Sequence, residues 1–163
     1  MPSRVRVGSL RSPLSGLRSD RAALRARVRS LEDRERVREH VYAYCAIVDA
    51  GRTDELRNWF APDAELLTRH GRYRGEGEIM EFYGARGRPH VSKRHFVTDI
   101  RILESQFPME VDSTFLWTDA ADGESIIGWG RYSDVIDVGA RGVRTLRREI
   151  CVDVDARLAV GWA

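Results

Sequence analysis

The sequence predicts an α+β domain, three helices followed by an antiparallel or mixed sheet, and three observations carry that prediction. Apolar residues recur at helical spacing from Val37 to Val48, the pattern changes to alternation from about Arg94 onward, and the two regimes follow one another without interleaving. Interleaved elements would indicate a parallel sheet with crossover helices. Segregated ones indicate helices packed against strands joined by short turns.

Taken in order, Ser12-Pro13 and Ser15-Gly16 are breakers, so residues 1–19 are expected to be irregular, with SDRAALRARVRS (19–30) offering a short extra helix. A firmer start lies at Ser30, where a capping serine is followed by Glu32 and Asp33 in the first turn. From there Val37, Val41, Tyr44, Cys45 and Val48 form one apolar stripe, and Gly51 closes the helix. Thr53 caps a second, short helix, DELRNWF, whose Leu56, Trp59 and Phe60 share a face before APDA turns the chain. AELLTRHGRYRG reads as a strand or hairpin, and GEGEIMEFYGARG as a third helix with Ile79, Phe82 and Tyr83 inward. Four strand segments follow, RHFVTDIRIL, MEVDSTFLWT, ESIIGWGRYSDVIDV and VRTLRREICVDVD, separated by turn-like SQFP, DAADG and GARG. A strongly curved sheet wrapped around its longest helix makes a cone with an open mouth.

The chain has 163 residues, 42% of them hydrophobic, enough for one domain with a substantial core. Its charge is uneven. Residues 1–30 hold eight arginines against Asp20 alone, whereas residues 31–163 carry five more acids than bases. The expected division is therefore an arginine-rich, poorly ordered extension over 1–29 and a folded, acidic domain over 30–163. No aromatic-interleaved basic groove accompanies the arginines, so nucleic-acid binding is not favoured. No apolar run approaches the roughly 20 residues of a membrane span, and no secretory block is visible; a cytoplasmic protein is the expectation. Cys45 and Cys151 lie among apolar neighbours without metal-type spacing, which suits reduced core residues. The histidines at 40, 70, 90 and 95 form no metal motif, and no phosphate loop or nucleophile elbow occurs, so neither metal nor cofactor is expected.

One residue resists a structural explanation. Asp49 ends the first helix, where the backbone dipole makes an acid unfavourable by roughly 0.3–1 kcal/mol. In an apolar pocket that position and desolvation would both raise its pKa, toward the range useful to a general base. Exposed, it would be no more than part of an Asp-Ala-Gly helix end.

YAYCAIVDAGRTDELRNWFAPDAEL, KRHFVTDIRI, GWGRYSDV and VRTLRRE, in that order and separation across Ser30 to Asp155, resemble the NTF2-like superfamily and its SnoaL-like branch. The resemblance implies a cone of three helices on a curved sheet. It points to scytalone dehydratases, bile-acid 7-alpha-dehydratases and the small subunits of ring-hydroxylating dioxygenases. The first two imply cofactor-free lyase or isomerase chemistry on a hydrophobic oxygenated ring compound of polyketide, steroid or terpenoid type. The third implies a non-catalytic scaffold or ligand-binding module. Asp49 matches the helix-end acid, His95 the strand histidine, and Tyr44 the tyrosine of the bile-acid dehydratase pattern. Trp129 and Thr68 stand where scytalone dehydratases place a further histidine and tyrosine, which argues against scytalone as substrate. Dimers or trimers built on the outer sheet face are implied as well.

Each candidate has a plainer alternative. His95, on a strand that its neighbours Phe96, Val97 and Ile100 mark as largely buried, is a partner acid or a core histidine bonded to backbone. Tyr44, on the stripe of Val37, Val41 and Val48, needs a hydrogen-bond partner, either substrate oxygen or a backbone carbonyl. Parity along Leu146, Arg148, Ile150 and Val152 turns Arg148 inward, toward a substrate carboxylate or a structural ion pair. Tyr132 and Asp134 are assigned to sheet packing and turn geometry. Trp129, Trp117 and Phe115 are candidate pocket walls.

Overall fold

The computed structural model describes residues 13–85, 93–103, 107–121, 123–140 and 142–162, with side chains from residue 20 onward except at Ala121. Helix α1 spans Pro13–Asp49, a 3-10 turn Thr53–Glu55, α2 Leu56–Trp59, β1 Phe60–Thr68, β2 Gly71–Arg74 and α3 Gly75–Gly84. Strands β3 (Arg94–Ile102), β4 (Met109–Ala121), β5 (Glu124–Gly139) and β6 (Gly142–Leu158) complete one six-stranded sheet in the order β2-β1-β6-β5-β4-β3. All neighbours are antiparallel except β1 and β6, which run parallel. The predicted α+β class with helices on a mixed sheet is the one observed.

Helix α1 begins at Pro13, not at Ser30. Proline suits a first helical turn, and the Arg/Ala/Leu-rich stretch before Ser30 propagates helix well enough to carry the chain through Ser15-Gly16. Contacts divide the chain into Met1–Glu32 and Asp33–Ala163. In the first unit the described Leu24, Val28 and Leu31 are exposed; residues 1–12 of the expected extension lie outside the described residues, as does His90.

The second unit has two apolar clusters. Val37 and Val41 of α1 meet Ile102, Met109, Val111 and Ile136 of the sheet, while Tyr44, Leu56, Trp59, Phe60, Phe115 and Tyr132 belong to a larger, aromatic one. Full burial of such side chains stabilises by roughly 1.5–3 kcal/mol each.

Two irregularities aim side chains. APDA is part of β1 instead of a turn, but the β1–β6 register shifts between Phe60 and Glu65, around Pro62, which has no N–H to give a ladder. In β3 the register shifts between Thr98 and Arg101, with Asp99 in the left-handed region at φ 52. That extra residue switches parity, so His95 and Val97 share the inner face with Ile102, whereas Phe96 is turned outward and 57% exposed. The expectation that Phe96 helps bury this strand is thereby corrected.

Candidate active site

Helix α1 unwinds after Asp49 through Gly51, whose φ of 68 lets Gly51 N–H reach Val48 O and Arg52 N–H reach Ile47 O. Asp49 is thereby presented to β3, the edge strand, whose outward N–H groups have no ladder partner. Its Oδ2 accepts the His95 backbone N–H at 2.8 Å and its Oδ1 lies 2.5 Å from His95 Nδ1. The acid at the negative helix end is thus satisfied by two bonds to one residue 46 positions on. A carboxylate only accepts, so in the neutral imidazole the proton sits on Nδ1 and Nε2 is the lone-pair acceptor. The side chains of His95 and Asp49 retain 10% and 14% exposure, enough for contact with solvent or ligand.

His95 and Tyr44 line a cavity of about 160 Å³, together with Phe115, Trp117 and Tyr132. Asp49 is not among the lining residues and stands behind His95. Tyr44 hydroxyl is 2.9 Å from that of Tyr83; burial raises both phenols above their ordinary value, so both stay protonated at neutral pH. The partner Tyr44 requires is therefore another side chain, which the sequence did not suggest. Phe115 stacks on Tyr132, ring centroids 4.3 Å apart. Two glycines give the cavity wall its shape. A Cβ at Gly128 would meet Trp117 Nε1 at 2.5 Å and Val154 O at 2.9 Å, and one at Gly130 would run into Cys151 O and meet Phe115 Cζ at 2.9 Å.

Arg148 is among the largest fully buried side chains of the described residues. Its Nε and Nη2 donate to Asp134 Oδ1 and Oδ2 at 2.7 and 2.6 Å, and its guanidinium carbon lies 4.0, 4.5 and 4.2 Å from the ring centres of Tyr44, Trp59 and Tyr132. Burial alone would lower the Arg148 pKa, but the Asp134 carboxylate outweighs it and raises the pKa above its ordinary value. Arg148 Nη1 makes no hydrogen bond and lies against the rings instead. Nearby, His40 stacks on Trp59 at 4.4 Å, and its Nε2 is 3.0 Å from Thr145 Oγ1. Burial, then the charges of Arg148 and Arg144, push His40 down to about 3, so its imidazole is neutral.

Of the residues singled out by sequence, Asp49, His95, Tyr44, Trp117 and Phe115 are brought together. Arg148 touches the Tyr44 ring but is committed to Asp134, so it does not line the cavity. Asp134 is a mid-strand, fully buried partner, not a turn residue. Trp129 is placed on the opposite face of the sheet, 43% exposed, and does not line the cavity; inward positions in β5 are the even ones, from Gly128 to Ile136, so an odd-numbered neighbour points out. Cys151 is exposed while Cys45 is buried, its thiol pushed up to about 11 by burial. Sequence reasoning missed Tyr83 and Lys93. Lys93 follows no motif, yet it precedes His95 by two, which in extended backbone puts both on one face. Among the described residues no group of three or more His, Cys, Asp or Glu is arranged to hold a metal, and none of their helices is long and apolar enough to cross a membrane.

Comparison with known proteins agrees with this architecture. The profile of the SnoaL-like domain matches residues 29–149. Among solved structures, a candidate scytalone dehydratase from Novosphingobium aromaticivorans superposes with a TM-score of 0.70 at 18% identity, covering 82% of this chain and 92% of the other. A hexachlorocyclohexane dehydrochlorinase from Novosphingobium barchaimii gives 0.68 at 15% identity, covering 82% and 95%. The beta subunit of a candidate aromatic-ring-hydroxylating dioxygenase from Novosphingobium aromaticivorans gives 0.63 at 18%, covering 74% and 88%. No curated protein matches the chain. Identities this low speak to fold alone, but the profile spans most of the chain, and the protein belongs to the SnoaL-like domain family.

Proposed function

We propose that the protein is a cofactor-free acid–base lyase or isomerase, of dehydratase or cyclase type, acting on a hydrophobic oxygenated ring compound. The observation that supports this most is the direct Asp49–His95 contact at the wall of a cavity. His95 Nε2 is the general base, and Asp49 orients the ring and stabilises the imidazolium that forms. In an elimination, Nε2 takes the proton from the carbon beside a carbonyl, the electron pair of that C–H bond becomes the new double bond, and hydroxide leaves with the proton the imidazolium returns. Tyr44, receiving a hydrogen bond from Tyr83, donates its own proton toward the carbonyl oxygen and steadies the enolate. The open hollow of about 160 Å³ is close in size to one that holds a benzene ring, which suits a one-ring substrate better than a steroid nucleus.

The test is turnover of hydroxylated ring ketones by Asp49→Asn and His95→Ala. General acid–base catalysis contributes about 10²–10⁴-fold, and losses of that size are expected in both; unchanged rates in both would remove the mechanism.

A second use of the fold, as a non-catalytic subunit or ligand-binding module, has one observation in its favour. Phe96, Leu116, Trp129 and Val154 are successive cross-strand partners on the outer face, and Phe96, Trp129 and Val154 are exposed. Such a row suits a subunit contact, in a homodimer or homotrimer or with a larger oxygenase chain. A Trp129→Glu variant that sediments as the wild type does would exclude this face from assembly.

A further inference from the structure

The chain contains 26 arginines and a single lysine, and that lysine lines the cavity. No carboxylate is among the cavity's lining residues; their basic members are Arg69, His70, Lys93 and His95. Arg69 is committed to Asp155 at 2.6 Å, and His95 to Asp49. Among the described residues no carboxylate pairs with Lys93, whose Nζ instead lies 5.4 Å from the centre of the Trp117 ring. A half-buried lysine beside an aromatic face, at the edge of an apolar hollow and with no carboxylate partner among the described residues, leaves a cation for a ligand to neutralise. The domain around it carries an excess of acids, so the choice of an anion is made at contact and not by long-range attraction.

Spacing sets the ligand's length. Lys93 and His95 are two residues apart along extended chain, about 6–7 Å between backbones, which is about one ring plus a substituent. Half-buried Trp117, Ile150 and Val152, beside the buried rings of Phe115 and Tyr132, offer apolar surface to such a ring, and an open hollow of about 160 Å³ suits one ring.

We propose that the site takes a monocyclic carboxylate, its ring against Trp117, Ile150 and Val152 and its carboxylate on Lys93 Nζ. The proposal rests on the acid–base site described above for where the reacting carbon lies, beside His95. Lys93 is the specificity-determining residue, donating a charge-assisted hydrogen bond that a neutral isostere receives only weakly.

Calorimetric titration of the full chain with benzoate, benzamide, cyclohexanecarboxylate, cyclohexanecarboxamide and 2-naphthoate tests it. Wild type is expected to prefer each one-ring carboxylate over its amide by about tenfold, the factor of one modest charged hydrogen bond, and to bind 2-naphthoate more weakly than benzoate. Lys93→Met should abolish the carboxylate preference, and Lys93→Arg should keep most of it. An equal affinity for acid and amide, no binding of either at millimolar concentration, or a preference that survives in Lys93→Met would overturn the proposal. A thermal melt of Lys93→Met matching wild type shows that the fold is intact, as a partly exposed side chain predicts. Asp49→Asn separates the two ideas. If it keeps the preference for benzoate and, like His95→Ala, leaves ketone turnover unchanged, the acid–base mechanism fails and the carboxylate site stands; if turnover falls but no preference is ever seen, the reverse holds.

Discussion

Asp134 with Arg148 and Asp49 with His95 are both carboxylates that accept two hydrogen bonds from one nitrogen-bearing partner, yet their surroundings are opposite. Both side chains of the first pair are wholly excluded from solvent and roofed by three aromatic rings. The second joins a helix end to an edge strand and keeps one member on a cavity wall. Enclosure removes any route by which a proton can arrive or leave, so the sealed pair holds strands β5 and β6 and their aromatic neighbours in place. The open pair retains a free ring nitrogen and a route to it.

The contrast is sharpest under truncation. Arg148→Met leaves Asp134 charged and unpartnered in the core, and removing one member of a buried pair costs about 3–5 kcal/mol; urea denaturation should show it. Asp134→Leu combined with Arg148→Met should recover a large part of that loss, because an apolar pair has no desolvation to offset. Asp49→Asn, by comparison, should cost about 1 kcal/mol, the value of an ordinary hydrogen bond. A loss for Asp49→Asn as large as that for Arg148→Met would erase the distinction between the two pairs.

An intermediate effect comes from His40, which lies beside the sealed pair. Its folded pKa of about 3 is below the ordinary 6.5, so the unfolded chain binds the extra proton first. The corresponding stability is complete above pH 6.5 and disappears as pH falls toward 3. Between pH 7 and pH 5 the decline should be on the order of 2 kcal/mol, read as a shift in urea midpoint, and His40→Gln should flatten it.

An effect as small as that of Asp49→Asn belongs to the tyrosine pair. Tyr44→Phe keeps the ring against Arg148 but leaves the Tyr83 hydroxyl without its partner, for about 1 kcal/mol. Turnover should fall further than stability if Tyr44 also serves substrate oxygen; equal, small losses would make the hydroxyl a packing feature.

What sequence reveals here follows from locality. An acid in the wrong turn of a helix is anomalous on its own, so Asp49 was conspicuous, and parity along β6 was enough to turn Arg148 inward. The partner of that arginine was equally available from parity in β5, where Asp134 is in phase with Tyr132 and the two glycines; counting from the same origin also sends Trp129 outward. Phe96 was harder, because the extra residue near Asp99 that reverses the phase of β3 leaves little local signature. The parallel pairing of β1 with β6 was out of reach, since their partnered residues are about eighty positions apart and are matched only by the assembled core. The start of α1 was misplaced because Ser-Pro and Ser-Gly were weighted as breakers against a long run of good helix formers. The tyrosine pair carries no spacing rule at all, and the lysine only its two-residue offset from His95.

Gly128 and Gly130 have an implication for how such a protein diversifies. The hollow keeps its dimensions because hydrogen atoms occupy two places where a methyl group would press on Trp117 and Phe115. Neither glycine handles a proton, so an alanine at position 128 would press on the indole and on the Val154 carbonyl of β6 and re-cut the space at positions remote from imidazole, carboxylate and phenol. Appetite and reactivity are thereby inherited through separate positions, and a lineage can change its diet without relearning its chemistry.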